Sequence, residues 1–176
     1  MTRFDQALDI VLHWEGHGQV TDDPADPGGI TRWGISLAFL RRADSDAGPA
    51  DIREMTREHA ATLYRGHFWS PIRADDLHPA LALFTFDTAV NLGVPRAARL
   101  LQQAVGAAPD GVIGPRSIAA AAKAAAAPDL ARAVLVDMCA GRMDIYVTRP
   151  GWPRFGRGWT RRVFDVALLA GVMYGG

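Results

Sequence analysis

The sequence predicts a mainly α fold with one short β or loop segment near residues 19–36. Three observations predict it. Apolar residues return at three- and four-residue spacing through most of the chain. Thr, Ser or Pro stands at the start of one such segment after another, where helices are capped. The main break in the pattern is a run rich in Gly, Asp and Pro between residues 16 and 29.

Residues 2–15 read as the first helix. Thr2 is placed to cap it, with Asp5 as its capping-box partner, and Phe4, Ala7, Leu8 and Val11 form its apolar stripe. At about 100° per residue, Glu15 falls within about 20° of the middle of that stripe. His13 and His17 fall on the opposite side with Gln6 and Asp9. The helix thus aims a carboxyl group toward its own core side. Apolar surroundings disfavour the carboxylate anion, as a general acid near neutral pH requires. The competing reading is a buried Glu paired with an Arg for structure.

Gly16 and Gly18 end this helix, because Gly adopts the left-handed cap conformation. DDPADPGGITRWGI follows. Pro24 and Pro27 disfavour helix before them, and Gly28-Gly29 permits tight turns. Asp22 and Asp23 read as turn residues. A short strand or hairpin around Ile30–Ile35 brings Asp26 and Thr31 back toward Glu15.

Further along, Ser36 caps a short helix over 37–42, and residues 44–50 (DSDAGPA) read as a loop. Thr56 caps a helix running to Phe68. Tyr64 and Trp69 near its end are candidates to line a binding cleft, since flat rings offer faces for a ligand to stack on; the alternative is that they are core aromatics. Pro79 opens the next helix, which ends at Asn91 before Gly93. Asp87 and Asn91 share a face of it, suited to mutual hydrogen bonding, and Asn91 is a candidate substrate contact. Helices over 96–105, from Pro115 through an Ala-rich run, and from Pro128 to about 148 complete the series. A basic, aromatic loop over 149–162 leads into a last helix.

Composition narrows the function. Nineteen Lys and Arg balance nineteen Asp and Glu, so no global charge favours nucleic acid. The single cysteine, Cys139, excludes an intrachain disulfide and sits in an apolar helical run, as an inert core thiol would. The N-terminus lacks a signal-peptide layout. Val163–Tyr174, the most apolar stretch, falls short of the roughly 20 residues that span a bilayer, so stable membrane insertion is not expected. HWEGH places two His four apart, but the Glu does not directly follow the first His and Gly16 breaks the helix. No metal or other cofactor is therefore expected.

The run E-G-x-x-x-x-x-D-D-P-x-D-x-G-G-x-T-x-x-G-I, from Glu15 to Ile35, resembles the N-terminal signature of glycoside hydrolase family 108. These are phage-type N-acetylmuramidases with a lysozyme-like fold. FDTAVNLG (residues 86–93), D-G-x-I-G-P-x-S (110–117) and the Gly158–Val163 run resemble later parts of the same pattern, so the likeness spans nearly the whole chain. It implies that Glu15 is the catalytic acid. By the pattern of phage lysozymes, Asp26 and Thr31 look like the second carboxylate and the water-holding hydroxyl. One departure is His17-Gly18, where the family has a Gly-aromatic pair; it bears on a local sugar contact rather than on the acid. The resemblance also implies a catalytic part over 1–92 and a helical part over 93–176 resembling a peptidoglycan-binding module.

The expected activity is therefore hydrolysis of the β-1,4 bond between N-acetylmuramic acid and N-acetylglucosamine, with peptidoglycan glycan strands as the partner and a monomer as the working form. A noncatalytic wall-binding module and a lytic transglycosylase using the same Glu are the alternatives. An enzyme of this kind, made in the cytoplasm, would reach the wall through a holin or a delivery particle.

Overall fold

A computed structural model describes residues 1–23 and 28–175. The chain is mainly α, with one small antiparallel hairpin, in the lysozyme-like arrangement. It divides into two compact units, Met1–Arg65 and Gly66–Gly176.

The first unit opens with α1 (Arg3–Trp14). The Thr2 hydroxyl accepts from the Asp5 N–H, and the Asp5 carboxylate accepts from the Thr2 N–H at 2.7 Å, closing the expected capping box. Phe4, Ala7, Leu8, Val11 and Leu12 are its buried face. Strands β1 (Thr31–Arg32) and β2 (Ile35–Ser36) pair in register Thr31 with Ser36 and Arg32 with Ile35. Ser36 then caps α2 (Leu37–Leu40), its hydroxyl accepting from the Phe39 N–H.

Helix α3 (Pro49–Glu54) begins inside the stretch that composition marks as loop. Pro49 presets the first helical φ, and the Asp51 carboxylate accepts from the Gly48 N–H at 2.7 Å. Thr56 caps α4 (Arg57–Tyr64), which stays α-helical only to Tyr64. The next residues, Arg65–Trp69, form a π-helical turn.

In the second unit, α5 (Pro79–Leu92) is buried on nearly every side, as a helix with apolar residues all round must be. It packs against α6 (Val94–Ala104) and α9 (Trp152–Gly175). Helix α8 (Pro128–Val147) packs against α9, α6 and α7 (Pro115–Ala125). The basic aromatic run read as a loop is helical from Trp152. Its aromatics fall at helical spacing, and Trp152 lies so close to Gly156 that a Cβ there would come within 2.7 Å of the ring. Trp159 gathers Tyr146, Trp152 and Phe155 around it, with ring centroids 5.1, 6.4 and 6.0 Å away.

Asp87 links three of these helices. Its carboxylate is fully buried. One oxygen accepts from Arg142 of α8 at 2.6 Å; the other accepts from Arg162 of α9 at 2.8 Å. Arg142 also donates to the Tyr146 hydroxyl and to Thr88 Oγ1. Asn91 does not reach the Asp87 carboxylate; its amide donates to the Asp87 backbone carbonyl instead. Burial alone would raise the Asp87 carboxyl, but the Arg142 and then Arg162 charges outweigh it and hold it below the usual carboxylate range. The Cys139 thiol is pushed up to about 11 by burial, so it stays protonated and a poor nucleophile.

The DG turn in this unit has a structural role. Gln102, itself buried, accepts from the Gly111 N–H at 2.9 Å, and its amide reaches Asp110, Val112 O and Ser117. The Val112 N–H and then the Gln102 amide hold the Asp110 carboxyl below its ordinary value.

Asp87→Asn strands two buried guanidinium groups without their counter-charge. It is expected to lower unfolding free energy by about 3–5 kcal/mol in urea titrations at pH 7. Because folding depresses the Asp87 pKa, the stabilisation is full above the unfolded value of about 3.9 and fades as pH falls through the folded one. The gap between wild type and variant should therefore narrow only in strong acid. A cost below about 1 kcal/mol at pH 7 would mean the network carries little stability.

Candidate active site

Glu15 stands at the C-cap of α1, half-buried, with its N–H donating to Val11 O at 3.1 Å. Gly16 follows at φ +82°, and the His17 N–H donates back to Leu12 O at 3.1 Å, the closing bond of a Schellman cap. This reverses the chain direction just after the carboxylate. Thr21 and Thr31 then exchange backbone hydrogen bonds of 2.9 and 2.8 Å, laying the returning chain along the hairpin.

The hairpin turn supports Glu15. Gly34 has φ +73°, and a Cβ there would lie 2.9 Å from Glu15 Cβ and Cγ and 2.5 Å from the Tyr64 hydroxyl. Both the backbone conformation and the space exclude a side chain. The Tyr64 hydroxyl donates to Trp33 O at 3.0 Å. Trp33 itself takes φ +54°; its indole N–H donates to Met55 O at 3.1 Å, and its ring covers Gly18 so closely that no Cβ fits there. Arg32 donates to Gly18 O at 3.1 Å and also to Arg53 O. The turn is thus tied to the α1 exit on one side and to the end of α3 on the other.

Thr31 is half-exposed at the start of this hairpin, and its hydroxyl donates to Gly29 O at 3.1 Å. With the proton used there, the oxygen retains lone pairs that can accept from a water. Asp26 lies outside the described residues. Tyr64 and Trp69 are each 1% exposed, so neither ring offers a free face in this conformation. Tyr64 positions the turn beside Glu15. Trp69, in the second unit, donates to Asp75 at 2.9 Å and meets Phe86 edge to face. Asn91, also in the second unit, is half-exposed.

Sequence reasoning missed the positioning roles of Trp33, Gly34 and Tyr64. The T-x-x-G-I part of the motif carried the signal, since an isolated Gly beside a strand marks a close approach. His13 Nδ1 and His17 Nε2 are 2.9 Å apart and hydrogen-bonded to each other. Among the described residues, no group of three or more His, Cys, Asp or Glu is arranged to hold a metal ion. A groove of about 630 Å³ lies over the DG turn, lined in part by Gly106, Asp110, Val112 and Arg116. Its lone carboxylate, Asp110, is occupied by the turn, which leaves the hairpin region of the first unit as the better candidate for acid chemistry.

A profile of the glycosyl hydrolase 108 family matches residues 8–93. The chain is also similar to a solved structure described as SagA of Brucella abortus. The two share 33% sequence identity at a TM-score of 0.85, over 97% of this chain and 95% of that one. No match was found among curated proteins.

Gly34→Ala should displace either the turn or Glu15. Left-handed strain and the clash together predict a loss of about 1–3 kcal/mol, read as a lower Tm. Gly66→Ala, at ordinary φ with no atom within 4 Å of the added carbon, is the control and should leave Tm nearly unchanged. Equal Tm values for the two variants would show that Gly34 is not pinned.

Proposed function

The chain belongs to the glycosyl hydrolase 108 family, and from that membership we propose that it cleaves peptidoglycan at the β-1,4 bond between N-acetylmuramic acid and N-acetylglucosamine, with Glu15 as general acid. A glycosidic bond breaks as the leaving oxygen gains a proton and the sugar takes on oxocarbenium character. Glu15 gives that proton. Asp26 acts as the second carboxylate, and Thr31 accepts a hydrogen bond from the water that attacks the sugar.

The observation that most supports this reading is the seating of Glu15. It is the half-buried carboxylate of a helix C-cap, and its side chain rests on the bare Cα of Gly34. A proton donor must hold its position to within a few tenths of an ångström of the leaving oxygen, and a packed side-chain stem provides that better than a solvated one.

Glu15→Gln keeps the shape and removes the acid. It is expected to fold as wild type, by circular dichroism, and to lower wall-digestion rate by about 10²- to 10⁴-fold. Mass spectrometry of muropeptides released by the wild type should show reducing-end muramic acid. Anhydro-muramic products would assign a transglycosylase instead. Tight wall binding with no released fragments would assign a binding module. A Glu15→Gln enzyme digesting walls at the wild-type rate would remove Glu15 from the mechanism.

A further inference from the structure

We propose that the outward face of α9 seats the protein on an anionic membrane surface. At about 100° per residue, Arg154, Arg157, Arg161, Phe164, Leu168 and Val172 fall within about 80° of one another around the helix. Val163, Val166 and Ala170, buried apolar residues, lie on the opposite side. Phe164, Leu168 and Val172 are 59%, 71% and 75% exposed, and the three arginines are exposed as well. One stripe about 27 Å long is therefore basic over its N-terminal half and apolar over its C-terminal half. Asp165 borders it.

Large aliphatic and aromatic side chains spaced by one turn on a solvent face are costly unless something covers them. The charge pattern distinguishes between possible covers. A second copy packed antiparallel along the stripe would set Arg154–Arg161 over Phe164–Val172, guanidinium charge against apolar surface. A parallel copy would set arginine on arginine. A lipid interface accommodates both halves at once, with guanidinium groups at headgroup phosphates and Phe164, Leu168 and Val172 at the acyl boundary. Among the described residues no helix is long and apolar enough to cross a membrane, so the association is a surface one. It does not depend on the catalytic role of Glu15.

The test is co-sedimentation of the full chain with phosphatidylcholine vesicles, with and without phosphatidylglycerol, at low and high salt. Wild type should bind the anionic vesicles at least about tenfold better than the neutral ones, and lose that preference in high salt. Leu168→Glu and, independently, Val172→Glu should each weaken binding by roughly tenfold or more. The double substitution Arg157→Glu with Arg161→Glu should abolish the anionic preference. All four positions are solvent-facing, and unchanged thermal melts will show that the variants fold. Binding indifferent to lipid charge, or variants that bind like wild type, would overturn the proposal. So would a wild-type dimer in sedimentation velocity that Leu168→Glu dissolves, since a copy of the chain would then be the cover.

Discussion

The side chain of Glu15 rests on a residue that has no side chain. That contact constrains the first unit. Gly34 must be glycine for the turn's φ and for the space, and the turn must stay where Tyr64, Trp33 and Arg32 tie it. Each of these groups bonds to backbone, so the hairpin is held by geometry that few substitutions can imitate. A two-residue strand pair would not hold its place alone. Here it is fixed by the Thr21–Thr31 bridge, by Arg32 reaching out to the Arg53 carbonyl of α3, and by Tyr64 reaching in from α4.

The chain spends polar burial in different ways in its two units. Around Glu15 the residue is half-buried, and its side-chain stem packs against Gly34. Around Asp87 the carboxylate is wholly enclosed and bound by two guanidinium groups, with Tyr146 and Thr88 completing the shell. A charge buried in this way must be matched, because desolvation of each ion costs several kcal/mol. Matched, it sets which faces of α5, α8 and α9 meet. The first arrangement fixes the position of one side chain, and the second fixes the register of three helices.

Helix α9 combines both kinds of constraint. Its inner face supplies Arg162 to Asp87 and Trp159 to the aromatic cluster on Tyr146. Its outer face is basic toward the N-terminal end and apolar toward the C-terminal end. Packing of the inner face requires a helix from Trp152 onward, and that same helix aligns the outer arginines and apolar residues in one stripe.

Local signals were enough to place Glu15 at a helix end. Thr2 and Asp5 fix where α1 starts and Gly16 fixes where it stops, through bonds spanning three to five residues. The same holds for the Ser36 and Thr56 caps and for the prolines that open α5, α7 and α8. The hairpin was legible in outline, from glycines flanking a short β-prone run. What only the tertiary structure decided was partnership. Asp87 lies 55 residues from Arg142 and 75 from Arg162, and Tyr64 lies 31 from the Trp33 carbonyl it holds. No periodicity encodes such pairs, although Arg142 does fall one turn after Met138 on the inward stripe of α8. The aromatic run after Arg149 looked like a loop because its Gly and Pro content is high; it is helical because its rings find each other and Trp152 packs onto Gly156. Sequence sets bonds between near neighbours along the chain. Which distant faces meet, and so which charges and rings are paired, is settled only when the helices pack.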